Sequence, residues 1–206
     1  FVISVNYKAE MIKESFGDGK RMGLEIRYVQ EDQPLGTAGP LSLVEEATGP
    51  LNSPIIVMNS DVLTKVNFMS LLDFHREQKA RATMCVRECN FQVPYGVVES
   101  DGHRILAIKE KPVQSFFVNA GIYVLNPEIV RLVPDATRYD MPTLFERVVA
   151  EGEMASAFPI REYWLDVGRI PDLARATDEY DTIFDNGTGD VPASETTPIN
   201  WNESKS

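Results

Sequence analysis

The sequence predicts an α/β protein with a doubly wound, mostly parallel sheet and an added antiparallel part. Strand-like and helix-like segments alternate over residues 1–87, and this rhythm is typical of right-handed crossovers between parallel strands. The rhythm changes after residue 87. There Asp101-Gly102 separates two short β-prone runs, which is a strong signal for a hairpin.

The parallel part is predicted from apolar runs and from helix ends. The run Ile55–Met58 is continuously apolar, which is typical of a buried strand in a parallel sheet. Gly17 ends the first predicted helix, and apolar residues recur at helical spacing over residues 67–80. The predicted strands here are residues 1–7, 24–29, 55–58 and 81–87, and the predicted helices are residues 8–16, 40–47 and 67–80.

The second half combines short strands with two longer helices. Asn126-Pro127 marks the start of a short helix, because proline favours the first helical position. The remaining predicted strands are residues 95–99, 104–109, 116–125, 155–160 and 163–166, and the helices are residues 142–150 and 171–184. Residues 185–206 are rich in small and polar residues and are expected to form a disordered tail or linker after a domain at residues 1–184.

Composition excludes several classes of protein. The 206 residues carry a net charge of −11, which argues against a nucleic-acid partner but not against small anions held by local cations or a metal ion. Cys85 and Cys89 are too few for a disulfide framework and are expected to be reduced. The longest apolar run is too short to span a membrane, and no signal peptide opens the chain, so a cytoplasmic protein is expected.

Two aspartates are candidate metal ligands. Asp61 follows the apolar strand at residues 55–58, where open α/β sheets bind ligands at the carboxyl ends of their strands. Asp166 also follows a short apolar segment. Two carboxylates beside a triphosphate suit Mg²⁺. A turn or helix-capping role for Asp61 and a structural role for Asp166 remain open alternatives.

Three further segments are candidate binding elements. Residues 35–39 hold two glycines before a helix and would allow close approach to a flat ligand, although a flexible connection explains the glycines equally well. Residues 110–112 would offer a carboxylate and a cation at a strand end, or only a solvated charged terminus. Gly121, inside a β-prone run, indicates close approach of a ligand or of another backbone.

These segments together resemble a known family. The sequences QEDQPLGTAG, VMNSDVLT, PYGVVE, IKEKP, VNAGIYVLNPE and YWLDVGR follow one another in the order seen in sugar-1-phosphate nucleotidylyltransferases. The combination of LGTAGP and NSDV looks most like the mannose-1-phosphate guanylyltransferase branch and related bacterial enzymes with regulatory domains. The resemblance covers about residues 1–184 and implies a Rossmann-like sheet with an antiparallel sugar-binding part.

The resemblance also implies roles for individual residues. The nucleotide would contact Gln30, Leu35, Gly36, Thr37 and Ala38; the sugar would contact Gly96, Glu110, Lys111 and Asn119, with Lys111 on its phosphate; and Mg²⁺ would be held by Asp61 and Asp166. The catalytic set is therefore Asp61, Lys111 and Asp166. The reaction implied joins a nucleoside triphosphate, with GTP favoured, to a sugar-1-phosphate similar to mannose-1-phosphate and releases pyrophosphate.

One feature of this sequence departs from the family pattern. Members of the family begin with a strand and a GGxGTR-type loop that grips the triphosphate, and neither is present in this sequence. We therefore expect an incomplete domain whose open sheet edge favours association with another chain, which leaves a homo-oligomer open. The alternatives are a non-catalytic nucleotide-sugar sensor and a nucleotide-sugar-dependent glycosyltransferase. The second is disfavoured because Asn59 replaces the first acid of a D-x-D pair.

Overall fold

The computed structural model describes residues 1–168 and 170–185 as short strands and helices in alternation. The strands are β1 (Val2–Val5), β2 (Arg27–Gln30), β3 (Ile55–Met58), β4 (Val62–Thr64), β5 (Ala82–Gln92), β6 (Val97–Asp101), β7 (Arg104–Lys109), β8 (Val113–Leu125), β9 (Ala155–Pro159) and β10 (Trp164–Asp166). The helices are α1 (Ala9–Phe16), α2 (Val44–Thr48), α3 (Phe68–Glu77), α4 (Pro127–Val130), α5 (Met141–Ala150) and α6 (Ile170–Tyr180). A 3-10 helix, Gly39–Leu43, leads into α2.

The central sheet has the strand order β3-β8-β5-β9. Strands β3, β5 and β9 run in one direction, because β8 is antiparallel to both β3 and β5 while β5 is parallel to β9. Strands β1 and β2 form a separate parallel pair. The sheet is thus mixed, with most of its strands pointing the same way.

The interpretation of β3 as a strand between parallel neighbours is wrong. Its hydrogen-bonded neighbour is β8, which runs antiparallel to it. Alternate residues of β3 are also exposed, with Ile56 at 38% and Met58 at 42%. An apolar run indicates that a strand lies near a core. It does not indicate the direction of the neighbouring strand, because that neighbour comes from a distant part of the chain.

Both faces of the central sheet are covered by helices. Alternate residues of β8 point to opposite faces. Ile122 and Val124 pack in a cluster with Leu71 of α3, whereas Tyr123 and Leu125 pack in a second cluster, which also contains Met141, Leu144 and Val148 of α5. This arrangement is the doubly covered sheet that the strand–helix rhythm predicts.

The antiparallel part is an extension of the central sheet and a separate hairpin. Beyond the central sheet, β5 and β8 continue to pair with each other from Val86 to Gln92. Strands β6 and β7 pair around Gly102, whose φ of 57° requires the left-handed region that glycine favours. The predicted hairpin is confirmed. No helix among the described residues is long and apolar enough to cross a membrane.

Contacts divide the chain into two compact units, Phe1–Asp166 and Val167–Ser206. The first unit holds all the strands named above. The second contains α6 and the π-helical turn Asp181–Asp185. The predicted tail at residues 185–206 lies outside the described residues, apart from Asp185 itself.

Candidate active site

The two predicted metal ligands lie at the same end of a short antiparallel ladder. Asp61 directly precedes β4, and Asp166 is the last residue of β10. The register places Asp166 opposite Val62, the neighbour of Asp61. Directly opposed residues of an antiparallel pair have Cα atoms about 4.5–5.5 Å apart, so the backbones of the two aspartates are close together. Both residues are exposed. The helix-capping alternative for Asp61 does not hold, because Asn67 caps α3.

The donor set at this position suits a hard cation with open coordination positions. Among residues 1–168 and 170–185, no group of three or more His, Cys, Asp or Glu residues lies close enough to hold a metal ion. Asp61 and Asp166 would therefore supply two oxygen ligands, and the remaining ligands would come from water and phosphate. This is the way Mg²⁺ is usually bound beside nucleotides.

A β-bulge at residues 120–122 of β8 lies next to this ladder. Met84 pairs with Tyr123 and Val86 pairs with Asn119, so a single residue of β5 faces three residues of β8. Gly121 has a φ of 72°. A Cβ atom on Gly121 would lie 3.0 Å from Asn59 Nδ2 and 3.2 Å from Val62 Cγ2. The glycine that sequence reasoning singled out is therefore needed for close approach of another part of the chain.

Asn119 flanks the bulge and bonds across it. Its Nδ2 donates to the Tyr123 hydroxyl at 2.8 Å, and its Oδ1 accepts from the Gly121 N–H at 2.9 Å. Burial raises the pKa of the Tyr123 hydroxyl. In the described part of the chain Asn119 does not hydrogen-bond to Glu110 or Lys111, so the predicted sugar-binding residues fall into two groups.

Gly96 and Glu110 form the second group. A Cβ atom on Gly96 would lie 3.0 Å from Glu110 Oε2, so the glycine leaves room for this carboxylate. Lys111 follows with a φ of 45°, in the left-handed region, and its exposed side chain marks the passage from β7 to β8. The structure thus brings Gly96, Glu110 and Lys111 to the base of the β6–β7 hairpin.

The predicted nucleotide loop, residues 35–39, is held by the segment that starts α5. The N–H groups of Ala38 and Gly39 both donate to Tyr139 O at 2.9 Å, and Tyr139 N–H donates to Leu35 O at 2.8 Å. Thr37 N–H donates to Asp140 Oδ1 at 3.1 Å. We call residues 139–141 the loop clamp.

The clamp explains Gly36, the first glycine of the loop. Gly36 has a φ of 79°, and a Cβ atom there would lie 2.5 Å from Asp140 Oδ1 and 2.8 Å from Tyr139 O. The Thr37 hydroxyl accepts from Met141 N–H at 2.8 Å and so caps α5 from a distant part of the chain. Gly36 therefore serves close packing of the loop against the clamp rather than a flexible connection.

The five predicted nucleotide ligands differ in exposure. Gln30 and Thr37 are exposed, whereas Ala38 is fully buried in the core. The Ala38 methyl group therefore packs against protein. A cavity of about 690 Å³ lies beside the loop, within the usual size for small-molecule sites. Its lining includes Tyr28, Gln30, Leu35 and Leu43.

Sequence reasoning missed several residues that support the site. Glu31 Oε2 accepts from Leu35 N–H at 2.8 Å, and its other oxygen accepts from Ser4. Asp140 lies 103 positions from Thr37, and no local pattern connects the two. Trp164, interpreted as a core residue, also donates its indole N–H to Ala120 O at 2.8 Å. These partners become visible only when distant segments meet.

Cys85 has no features of a ligand or nucleophile. It is fully buried, and burial raises the pKa of its thiol to about 12. Both cysteines are free, as expected.

Comparisons with known proteins agree with the motifs. Residues 1–182 match the family model described as Nucleotidyl transferase. A mannose-1-phosphate guanyltransferase of Eremothecium gossypii is 34% identical over 186 residues, covering 85% of this chain and 50% of the relative. Its counterpart in Saccharomyces cerevisiae is 33% identical with the same coverage. This chain thus spans about half the length of these relatives.

A solved structure shares the fold. HddC from Yersinia pseudotuberculosis superposes with a TM-score of 0.64 at 21% identity, covering 87% of this chain and 77% of that one. A second structure of HddC, complexed with GMP-PN, gives the same TM-score at 19% identity. The predicted fold class is confirmed. Since the family model matches most of its length, the chain belongs to the nucleotidyl transferase family.

Proposed function

We propose that the protein transfers a nucleotidyl group from a nucleoside triphosphate to a sugar-1-phosphate, giving a nucleotide-sugar and pyrophosphate. The observation that supports this proposal is that Asp61 and Asp166 lie at the same end of the β4–β10 ladder. GTP and mannose-1-phosphate are the favoured substrates, because relatives named mannose-1-phosphate guanyltransferase match most of this chain.

Mg²⁺ fits the proposed reaction and the residues present. Asp61 and Asp166 would hold the ion, and both are exposed at the end of a short ladder, where a triphosphate could supply further oxygen ligands. When bound there, Mg²⁺ would offset negative charge on the reacting phosphates.

The residues themselves bind and align two anions. The attacking phosphate oxygen of a sugar-1-phosphate is already ionised at neutral pH, so no general base is needed. The site must instead hold both phosphates in line and reduce their repulsion. Lys111, as an exposed point charge beside Glu110, would hold the sugar phosphate. Glu110 would accept hydrogen bonds from sugar hydroxyls next to Gly96.

The nucleotide end of the site would lie at the held loop. Gln30 and Thr37 are its exposed polar members, and Gln30 also borders the neighbouring cavity. Because the loop clamp holds residues 35–39, a base would meet a shaped surface instead of ordering a free loop, which lowers the entropic cost of binding.

The glycosyltransferase alternative loses support at Asn59. Its backbone N–H donates to Gly121 O at 2.9 Å, and its side-chain Nδ2 lies 3.0 Å from the position that a Cβ atom of Gly121 would take. Asn59 therefore packs against the bulge. As an amide, it cannot supply the second carboxylate that a D-x-D pair requires.

The test is release of pyrophosphate from GTP and mannose-1-phosphate in the presence and absence of Mg²⁺. It is run on this chain and on the longest gene product that contains it. Asp61→Asn should lose most of the rate while keeping the fold, because a metal ligand loses its charge and its size barely changes. We expect a loss of about 100-fold, as for removal of other strong electrostatic contacts.

Asp101→Asn is the matched control. Asp101 is the last residue of β6, at the hairpin turn, and this substitution removes the same negative charge as Asp61→Asn. It should retain the parent rate. An Asp61→Asn variant as active as the parent would show that Asp61 is only a turn residue. Binding of a nucleotide-sugar without any turnover would favour the sensor.

A further inference from the structure

The β8 bulge at residues 120–122 connects to both segments that carry the aspartates. Trp164 lies two residues before Asp166, and Asn59 lies two residues before Asp61. Trp164 Nε1 donates to Ala120 O, and Asn59 N–H donates to Gly121 O. Consecutive carbonyl groups of one bulge thus hold the two segments that lead to the aspartates.

We propose that Trp164 and the bulge act as a positioning device that sets the separation of Asp61 and Asp166. Trp164 is a positioning residue that acts through the Ala120 carbonyl. The inference rests on the proposed function, because it assigns a purpose to the placement of the two carboxylates.

The ladder that joins the aspartates is too short to define their spacing by itself. Strands β4 and β10 share three residue pairs, with Asp166 at one end. Neither strand pairs with the central sheet in the described part of the chain. The terminal pair of a short ladder opens easily, because few hydrogen bonds hold it. Anchoring to β8, a central strand with buried residues on both faces, supplies the missing constraint.

The anchor on β8 is itself well defined. The two polar groups of the Asn119 side chain hold Gly121 N–H and the Tyr123 hydroxyl, and Tyr123 is only 2% exposed. A carbonyl group in a bulge lacks a partner in the ladder, so a buried one needs a donor from elsewhere. Trp164 provides this donor for Ala120 O, and Asn59 N–H donates to Gly121 O as a continuation of the β3–β8 pairing beyond Met58 and Ile122. The same bonds that satisfy the bulge therefore fix the segments that lead to the site.

The test compares loss of the indole donor with loss of packing. Trp164→Phe keeps an aromatic ring but removes the N–H group. Phe158→Leu is the matched control. Phe158 packs against the same core cluster as Trp164 and makes an edge contact with Phe74 at 5.2 Å, but its side chain has no hydrogen-bonding group. Gly121→Ala is a second test from the Asn59 side, because its Cβ atom would press on Asn59 and Val62.

The readouts are the dissociation constant of Mn²⁺, measured by electron paramagnetic resonance in the presence of GDP-mannose, and urea unfolding of each variant. Trp164→Phe and Gly121→Ala should raise the Mn²⁺ dissociation constant about tenfold, as expected when a group that orients metal ligands is lost. Phe158→Leu should leave the Mn²⁺ dissociation constant within about twofold of the parent value, even if it lowers the free energy of unfolding as much as Trp164→Phe does. Asp61→Asn should abolish Mn²⁺ binding.

The outcomes separate the inference from the function on which it rests. If Trp164→Phe binds Mn²⁺ as the parent does, and loses only stability, then Trp164 is a packing residue and the inference is overturned while the proposed function stands. If Phe158→Leu weakens Mn²⁺ binding to the same extent, general loosening explains the effect and the inference is also overturned. If the parent protein binds no Mn²⁺, the proposed function fails, and the inference fails with it.

Discussion

Replacing Gly36 by alanine should be one of the most destabilising single changes in the nucleotide loop. Gly36 has a φ of 79°, and an added Cβ atom would lie 2.5 Å from Asp140 Oδ1 and 2.8 Å from Tyr139 O. The left-handed backbone costs about 1–2 kcal/mol for a residue with a Cβ atom. Displacing Asp140 also removes the hydrogen bond from Thr37 N–H, which adds about 1–3 kcal/mol. The expected loss is therefore about 2–5 kcal/mol.

Gly152→Ala provides the matched control. Gly152 has nearly the same φ, 77°, but nothing lies within 4 Å of an added Cβ atom. It should cost only the backbone strain, about 1–2 kcal/mol. The free energy of unfolding is measured by urea titration followed by circular dichroism. Nucleotide affinity, measured by calorimetry, should fall for Gly36→Ala and not for Gly152→Ala.

Two results would refute this reasoning. Equal losses of stability for the two variants would mean that Asp140 and Tyr139 do not approach Gly36 closely, so the loop clamp as described is absent. A large loss of stability in Gly36→Ala with unchanged nucleotide affinity would show that the loop is held for folding and has no part in binding a base.

Two further predictions concern α5 and the buried thiol. Thr37→Val should destabilise the protein by about 1 kcal/mol in urea unfolding, because it removes the hydroxyl that accepts from Met141 N–H. Thr37→Ser keeps a hydroxyl and should keep the parent stability. An equal loss of stability in both variants would exclude the cap. The Cys85 thiol has a pKa of about 12 against an ordinary value of 9.0, so the unfolded chain loses this proton first as pH rises. Its contribution to stability should be complete below pH 9 and fall as pH rises toward 12, and Cys85→Ala should show a smaller decline over that interval in unfolding experiments.

Much of the fold could be predicted because its signals are local. The hairpin around Gly102, the helix that begins after Asn126 and the helix that ends at Gly17 all appear where the sequence places them. Each depends on backbone preferences of a few adjacent residues. The short strand β4 was missed, because three residues carry too little periodicity to be recognised.

The candidate site could be predicted only in part. Asp61 and Asp166 are predicted as a pair, and the structure brings them to the same end of one short ladder, while their shared metal ion stays a prediction. Their common support, the bulge that meets Trp164 and Asn59, left only one trace in the sequence, a glycine inside a β-prone run at Gly121. That trace indicated close approach but could not name the neighbour. Asp140 left no trace, because an aspartate before a helix is common.

The sequence by itself determined the elements, the family and the residues worth testing, since these follow from local preferences and from motifs in a recognisable order. The tertiary structure alone decided that β8 enters between β3 and β5 in the opposite direction. It also decided that residues 139–141 hold the nucleotide loop and that one bulge anchors both aspartate segments. These features depend on hydrogen bonds between segments far apart in the chain, and such pairings are selected by the packing of the whole domain rather than by the residues on either side of them.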